Sequence, residues 1–136
     1  MLRLKIRVRR RDLEIEKETN VVVNSGFAGP RPQLLIPKDM ARELRFGEII
    51  EPTIVNKRTA DGRTVSFITY TNAALVQVVT EDRESPEIPV DILVGSTIPL
   101  MNDALISALK IVIIDAKEGL WCFLDELGKK VRKGIQ

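Results

Sequence analysis

Val21-Val22-Val23-Asn24-Ser25-Gly26-Phe27-Ala28-Gly29, with Leu34-Leu35-Ile36-Pro37 shortly after it, sets two short apolar runs on either side of a small polar turn. Three β-branched residues in a row favour an extended strand. The small polar triplet Asn24-Ser25-Gly26 ends it, because Asn and Gly both tolerate the positive φ that a sharp turn demands. Pro30 and Pro32 hold the connection extended and deliver Leu34, Leu35 and Ile36 as a second short strand. Taken without its flanks, the triplet reads as a strand-ending turn.

Outward from this stretch the pattern is mostly β. Leu2, Leu4, Ile6 and Val8 alternate with Arg3, Lys5, Arg7 and Arg9, the period of a half-buried strand. Leu13, Ile15 and Lys17 alternate with Glu14, Glu16 and Glu18, and Arg10-Arg11-Asp12 suits the turn between the two runs, so a basic strand face is expected against an acidic one. Pro37 at an early helical position opens a short helix to about Leu44. Ile49 to Val55 and Thr64 to Val79 form a long hairpin tipped by Ala60-Asp61-Gly62, which carries the Asp-Gly turn signal. After the charged linker 80–86, Ile88 to Val94 reads as a strand ending at Gly95, and Leu100 to Leu109 as the second short helix. Ile111 to Ile114 is expected as a buried strand and Leu120 to Leu124 as a closing strand. Residues 1–124 make one domain, followed by a polar, basic tail over 125–136 that is expected as a short helix or as disordered chain.

Composition removes whole classes of chemistry. The chain has 136 residues, enough for a core without metal or disulfide support, and no histidine. A Ser-His-Asp site, a Cys-His site and a His-liganded metal centre are therefore excluded. Cys122 is the single cysteine, which rules out an internal disulfide and suits a reducing compartment. Neither phosphate-loop signature is present, so no nucleotide, cofactor or metal is expected. The apolar runs are too short to span a bilayer, and the amino terminus lacks the continuous apolar stretch of a signal peptide. A cytoplasmic location without membrane attachment is the expectation.

An internal echo narrows the reading. Apolar strand, Gly, loop and helix occur at Val21 to Leu44 and again at Ile92 to Leu109, where Ile92-Leu93-Val94-Gly95 is the second strand-to-Gly segment. In order and spacing this resembles the subunit of the retroviral-type, or retropepsin-like, aspartic peptidases, over roughly Leu13 to Phe123. The resemblance implies a closed β-barrel-like subunit with two short helices, working as a homodimer on a peptide or protein substrate. It puts Asn24, Ser25 and Gly26 at the catalytic triplet, Phe27 and Ala28 in the substrate-facing loop, and Ala60, Asp61 and Gly62 at the tip of a flap. Ser25 would lock the two triplet loops across the dimer axis, and Gly26 would let a substrate backbone come close.

The departure from the family lies at position 24. Aspartic peptidases use two carboxylates that share one proton, one as base toward water and the other as acid toward the scissile carbonyl. Asn24 carries an amide, which hydrogen-bonds water but takes no proton from it at neutral pH. The chain as written is thus expected to be inactive or weakly active. An exchange that disables an enzyme, a non-catalytic relative that keeps the dimer and cleft for binding or structure, and deamidation of the Asn-Ser bond to Asp all remain open. Other candidates have plainer readings. Ser25 with Lys38 or Lys57 as base finds no support in the spacing, Asp91 and Asp115 read as solvated strand ends, and Trp121 and Cys122 as core. The basic residues Arg3 to Arg11 and the tail cations Lys129, Lys130, Arg132 and Lys133 raise a nucleic-acid-binding module as a further class. A net charge of +2 and few aromatic residues argue against it, and nucleic acid is not an expected partner.

Overall fold

Alternation along strand β1 (Arg3–Arg10) buries Leu4, Ile6 and Val8 and turns Arg3, Lys5 and Arg7 outward. It pairs antiparallel with β2 (Glu16–Val23), Arg7 opposite Glu18 and Arg9 opposite Glu16. The expected basic-against-acidic pairing is seen: Lys5 Nζ lies 3.1 Å and Arg7 Nη2 2.9 Å from the Glu18 carboxylate. The inward period continues to Arg10, which is fully buried inside the strand and not in the turn the sequence implied. Its guanidinium donates to the carbonyls of Leu44, Arg45 and Glu48, pairs with Asp12, and lies 5.2 Å from the Phe46 ring centroid. These carbonyls lie just past the end of helix α1 (Lys38–Glu43), where the chain has left the helical ladder and the guanidinium supplies donors.

The computed structural model describes residues 1–23, 26–48 and 50–135. Its further elements are β3 (Gln33–Ile36), β4 (Thr53–Arg58), β5 (Thr64–Val78), β6 (Ile88–Val94), β7 (Leu100–Met101), α2 (Asp103–Ala108), β8 (Ile111–Asp115), β9 (Leu120–Phe123), a 3₁₀ turn at Leu124–Glu126, and β10 (Arg132–Lys133). The strand order β1-β2-β7-β3-β6-β5 returns to β1 through a β1–β5 pairing, so six strands close into a barrel. β4 extends the sheet beyond β5 as the outer strand of a projecting hairpin. The expected mostly β architecture, a closed barrel with two short helices, is the one observed. Closure leaves the six barrel strands without a free edge, and Leu4, Ile6, Val8, Val76, Ile92 and Met101 fill the interior.

The sequence echo is a two-fold in the topology. β2 lies parallel to β7 and β3 parallel to β6, while β3 and β7 pair antiparallel with each other. Exchanging β1 with β5, β2 with β6 and β3 with β7 reproduces the same ring. In each half a hairpin leads into a loop that crosses from one parallel pair to the other, then a short strand, then a short helix. All four residues of β3 are buried, which is why Leu34, Leu35 and Ile36 are apolar without alternation.

Some boundaries differ from the sequence reading. Leu100 and Met101 form β7, and the second helix begins at Asp103, because the Asn102 side chain accepts the Leu105 N–H at 2.9 Å and caps it. β4 begins at Thr53, so Ile50 lies ahead of the strand expected from Ile49, itself outside the described residues, and Leu13 lies outside β2. β8 is half-exposed, with Ile114 turned to solvent. Residues 125–135 carry ordered structure. β10 pairs with β9, Gly134 N donates to Gly119 O at 2.7 Å, and Ile135 N donates to Arg3 O at 2.8 Å. Arg132 is buried over Trp121 and Phe123 and bridges Asp82 and Glu126.

Candidate functional site

The loop after β2 is held by the start of α2. Asp103 N donates to Phe27 O at 2.9 Å, and Gly29 N donates back to Asp103 Oδ1 at 3.2 Å. Asn102, fully buried, bonds both the loop and the helix beside it. Its Oδ1 accepts the Gln33 N–H at 2.9 Å as well as the helix cap, its Nδ2 donates to Arg31 O at 2.9 Å, and its own N–H reaches Gln33 O at 3.1 Å. The second half of the two-fold thereby holds the loop that the first half supplies at Phe27 and Gly29 and again at Arg31 and Gln33. A buried amide suits this place, since one group both donates and accepts.

The far side of the loop is tied to β5. Asp91, expected as a solvated strand end, is buried, and its Oδ1 accepts from Arg31 at 2.8 Å and from the Asn72 N–H at 2.7 Å. Asn72 has φ +51 within the bulge between Tyr70 and Ala74, so the carboxylate satisfies a donor that the bulge takes out of the ladder. Asp115 only shapes a turn, accepting the N–H groups of Lys117 and Glu118. Trp121 and Cys122 pack in the core as expected, and burial pushes the Cys122 thiol up, away from reactivity.

Asn24 and Ser25 lie outside the described residues. Gly26 and Ala28 are exposed, and Phe27 and Gly29 are half-buried. The hairpin meets the loop through Lys57, whose Nζ donates to Ala28 O at 2.9 Å and lies 5.0 Å from the Phe27 ring centroid. Burial lowers the Lys57 pKa below its ordinary value, and the charges of Asp103 and Asp91 oppose that shift. Gly29 lies against this contact: a Cβ there would sit 2.7 Å from Lys57 Nζ, 2.9 Å from Gln33 Oε1 and 3.1 Å from Asn102 Nδ2.

Ala60, Asp61 and Gly62 do form the hairpin tip. Their bonds, among the described residues, run within the turn: Gly62 N donates to Thr59 O at 3.0 Å, and Asp61 accepts from the Thr59 hydroxyl and the Arg63 N–H. The bond from Thr59 holds the Asp61 carboxyl below its usual range. The residue that reaches the loop is thus Lys57, a few positions down the strand from the tip. Its inward position was readable from register: Thr53, Val55 and Lys57 share one face of β4, opposite Thr69, Phe67 and Val65.

No protein-family model matches the chain, and no curated protein matches it in sequence. Among solved structures its fold is similar to the retroviral protease-like domain of Ddi1 from Leishmania major, with a TM-score of 0.49 and 10% sequence identity, over 100% of this chain and 96% of that one.

Proposed function

We propose that this chain is a retropepsin-like aspartic peptidase homologue that dimerises about a two-fold axis and holds an extended peptide between the triplet loops and the paired β4–β5 hairpins. One observation carries the reading: the hairpin lies over the loop that follows Asn24-Ser25-Gly26, with Lys57 bonded to Ala28 O at 2.9 Å. A turn that merely ended a strand would need no such cover. The barrel two-fold and the anchoring of the loop by Asn102 and Asp103 support the same assignment.

On this reading Gly26, Phe27 and Ala28 line the floor of the cleft, and Ala60, Asp61 and Gly62 close over the peptide from above. Ser25 locks the two loops across the axis. Asn24 and its symmetry mate hold a water or a peptide carbonyl by hydrogen bonds, but neither accepts a proton, so the bound peptide is not cleaved. A subunit with one triplet supplies only half of a paired site, which is why the assignment requires a dimer.

The test compares the chain with Asn24→Asp on a mixed peptide library at mildly acidic and neutral pH, after dimers are established by sedimentation. Cleavage by the Asp form alone, blocked by a statine-type transition-state mimic, is the expected result. Dimers of both forms that neither cleave nor retain any peptide would overturn the proposal.

A further inference from the structure

Lys57 is an unusual group to find over this loop. Its ammonium has three donor hydrogens. Ala28 O takes one, the Phe27 ring faces the charge, and among the described residues no carboxylate forms an ion pair with it. The two carboxylates whose field reaches it are engaged elsewhere: Asp103 Oδ1 with the Gly29 N–H, and Asp91 Oδ1 with Arg31 and Asn72. Asn24, moreover, adds no negative charge to the triplet that precedes the loop. A half-buried cation with spare donors at the mouth of a peptide cleft is a counter-ion awaiting an anion.

We infer that the cleft under the β4–β5 hairpin selects peptides that carry a carboxylate, with the Lys57 ammonium as its partner. This rests on the peptide-binding reading above and names the ligand class for it. The carboxylate belongs either to an Asp or Glu side chain or to a free carboxyl terminus, and both present the same two oxygens to Nζ. The contact to Ala28 O gives way or is shared as the anion enters, so binding also frees the hairpin from the loop.

The experiment measures affinities of matched extended peptides for the full chain: Glu against Gln at each position with both ends blocked, and free against amidated carboxyl termini. The acidic member of a pair is expected to bind about tenfold tighter at low salt, with the gap closing as salt rises. Lys57→Met and Lys57→Gln should both bring the pair within about twofold, whereas Lys57→Arg should keep the preference. Lys57→Gln keeps an N–H donor on a side chain one bond shorter, so comparison with Lys57→Met separates the loss of charge from the loss of a donor. Equal affinity of acidic and neutral peptides for the unaltered chain overturns this inference while leaving the cleft in place. Failure to bind any peptide overturns the cleft reading and this inference with it.

Discussion

Single side chains decide the local chemistry. On the proposed reading the Asn24 amide supplies no base, while the Lys57 ammonium brings a cation to Ala28, two residues past the triplet, from a strand 29 residues further along the chain. Asn102 carries the positioning. Asn102→Ala would strand the buried Gln33 N–H, uncap α2 and release Arg31 O, so a loss of about 3 kcal/mol is expected in urea unfolding. Gly29→Ala should cost about 1–3 kcal/mol by the same measurement, because Lys57 can swing away but buried Gln33 and Asn102 have nowhere to move. A Gly29→Ala protein as stable as the parent would show that the packing around the loop is looser than described.

Elements show where local pattern and long-range contact divide the labour. β1, β2 and the hairpin were legible from alternation and the Asp-Gly turn, since both depend on neighbours in sequence. β7 was not: Leu100 and Met101 continue an apolar stripe into a helix, and they become strand only because β2 and β3 offer ladder partners on either side. The echo itself held the missing signal, as Leu34-Leu35-Ile36 already stands between loop and helix in the first half. β10 depends on contacts of the same long-range kind. Arg132 holds the Glu126 carboxyl down at about 2, against an ordinary 4.5, through paired hydrogen bonds. A depressed carboxylate contributes stability that is present above pH 4.5 and lost as pH falls through about 2. Thermal unfolding followed between pH 6 and 2 should therefore show an acid-side loss, on the order of 1–2 kcal/mol from this group, that Glu126→Gln abolishes. An unchanged acid limb in that variant would mean that the pair adds nothing to stability.

For the whole molecule, the ring of six strands removes the edges and sets two loops and two helices in a two-fold arrangement. Among the described residues no helix is long and apolar enough to cross a membrane. The basic strand that raised a nucleic-acid role is matched by acids: Lys5 and Arg7 with Glu18, Arg7 with Glu84, and Arg9 with Glu87. The tail is matched as well, Lys130 and Arg132 meeting Asp82. Retention on a nucleic-acid column is accordingly expected to vanish at physiological salt, and tight, salt-sensitive retention would revive that class. Sedimentation at micromolar concentration is expected to give a dimer that salt does not dissociate. A monomer at all concentrations would leave a cleft with one wall and remove the proposed site.

From the sequence come the mostly β class, the Asp-Gly hairpin turn and the two short helices, because period and the placement of glycine and proline act locally. It also marked the frame around Asn24-Ser25-Gly26. Tertiary structure alone decided that Arg10 and Asp91 are buried, that Asn102 binds the loop of one half to the helix of the other, and that Lys57 faces Ala28. The physical reason is common to all of them. A charge or an amide is placed by the backbone groups it must satisfy, and those groups come from segments that only barrel closure brings together.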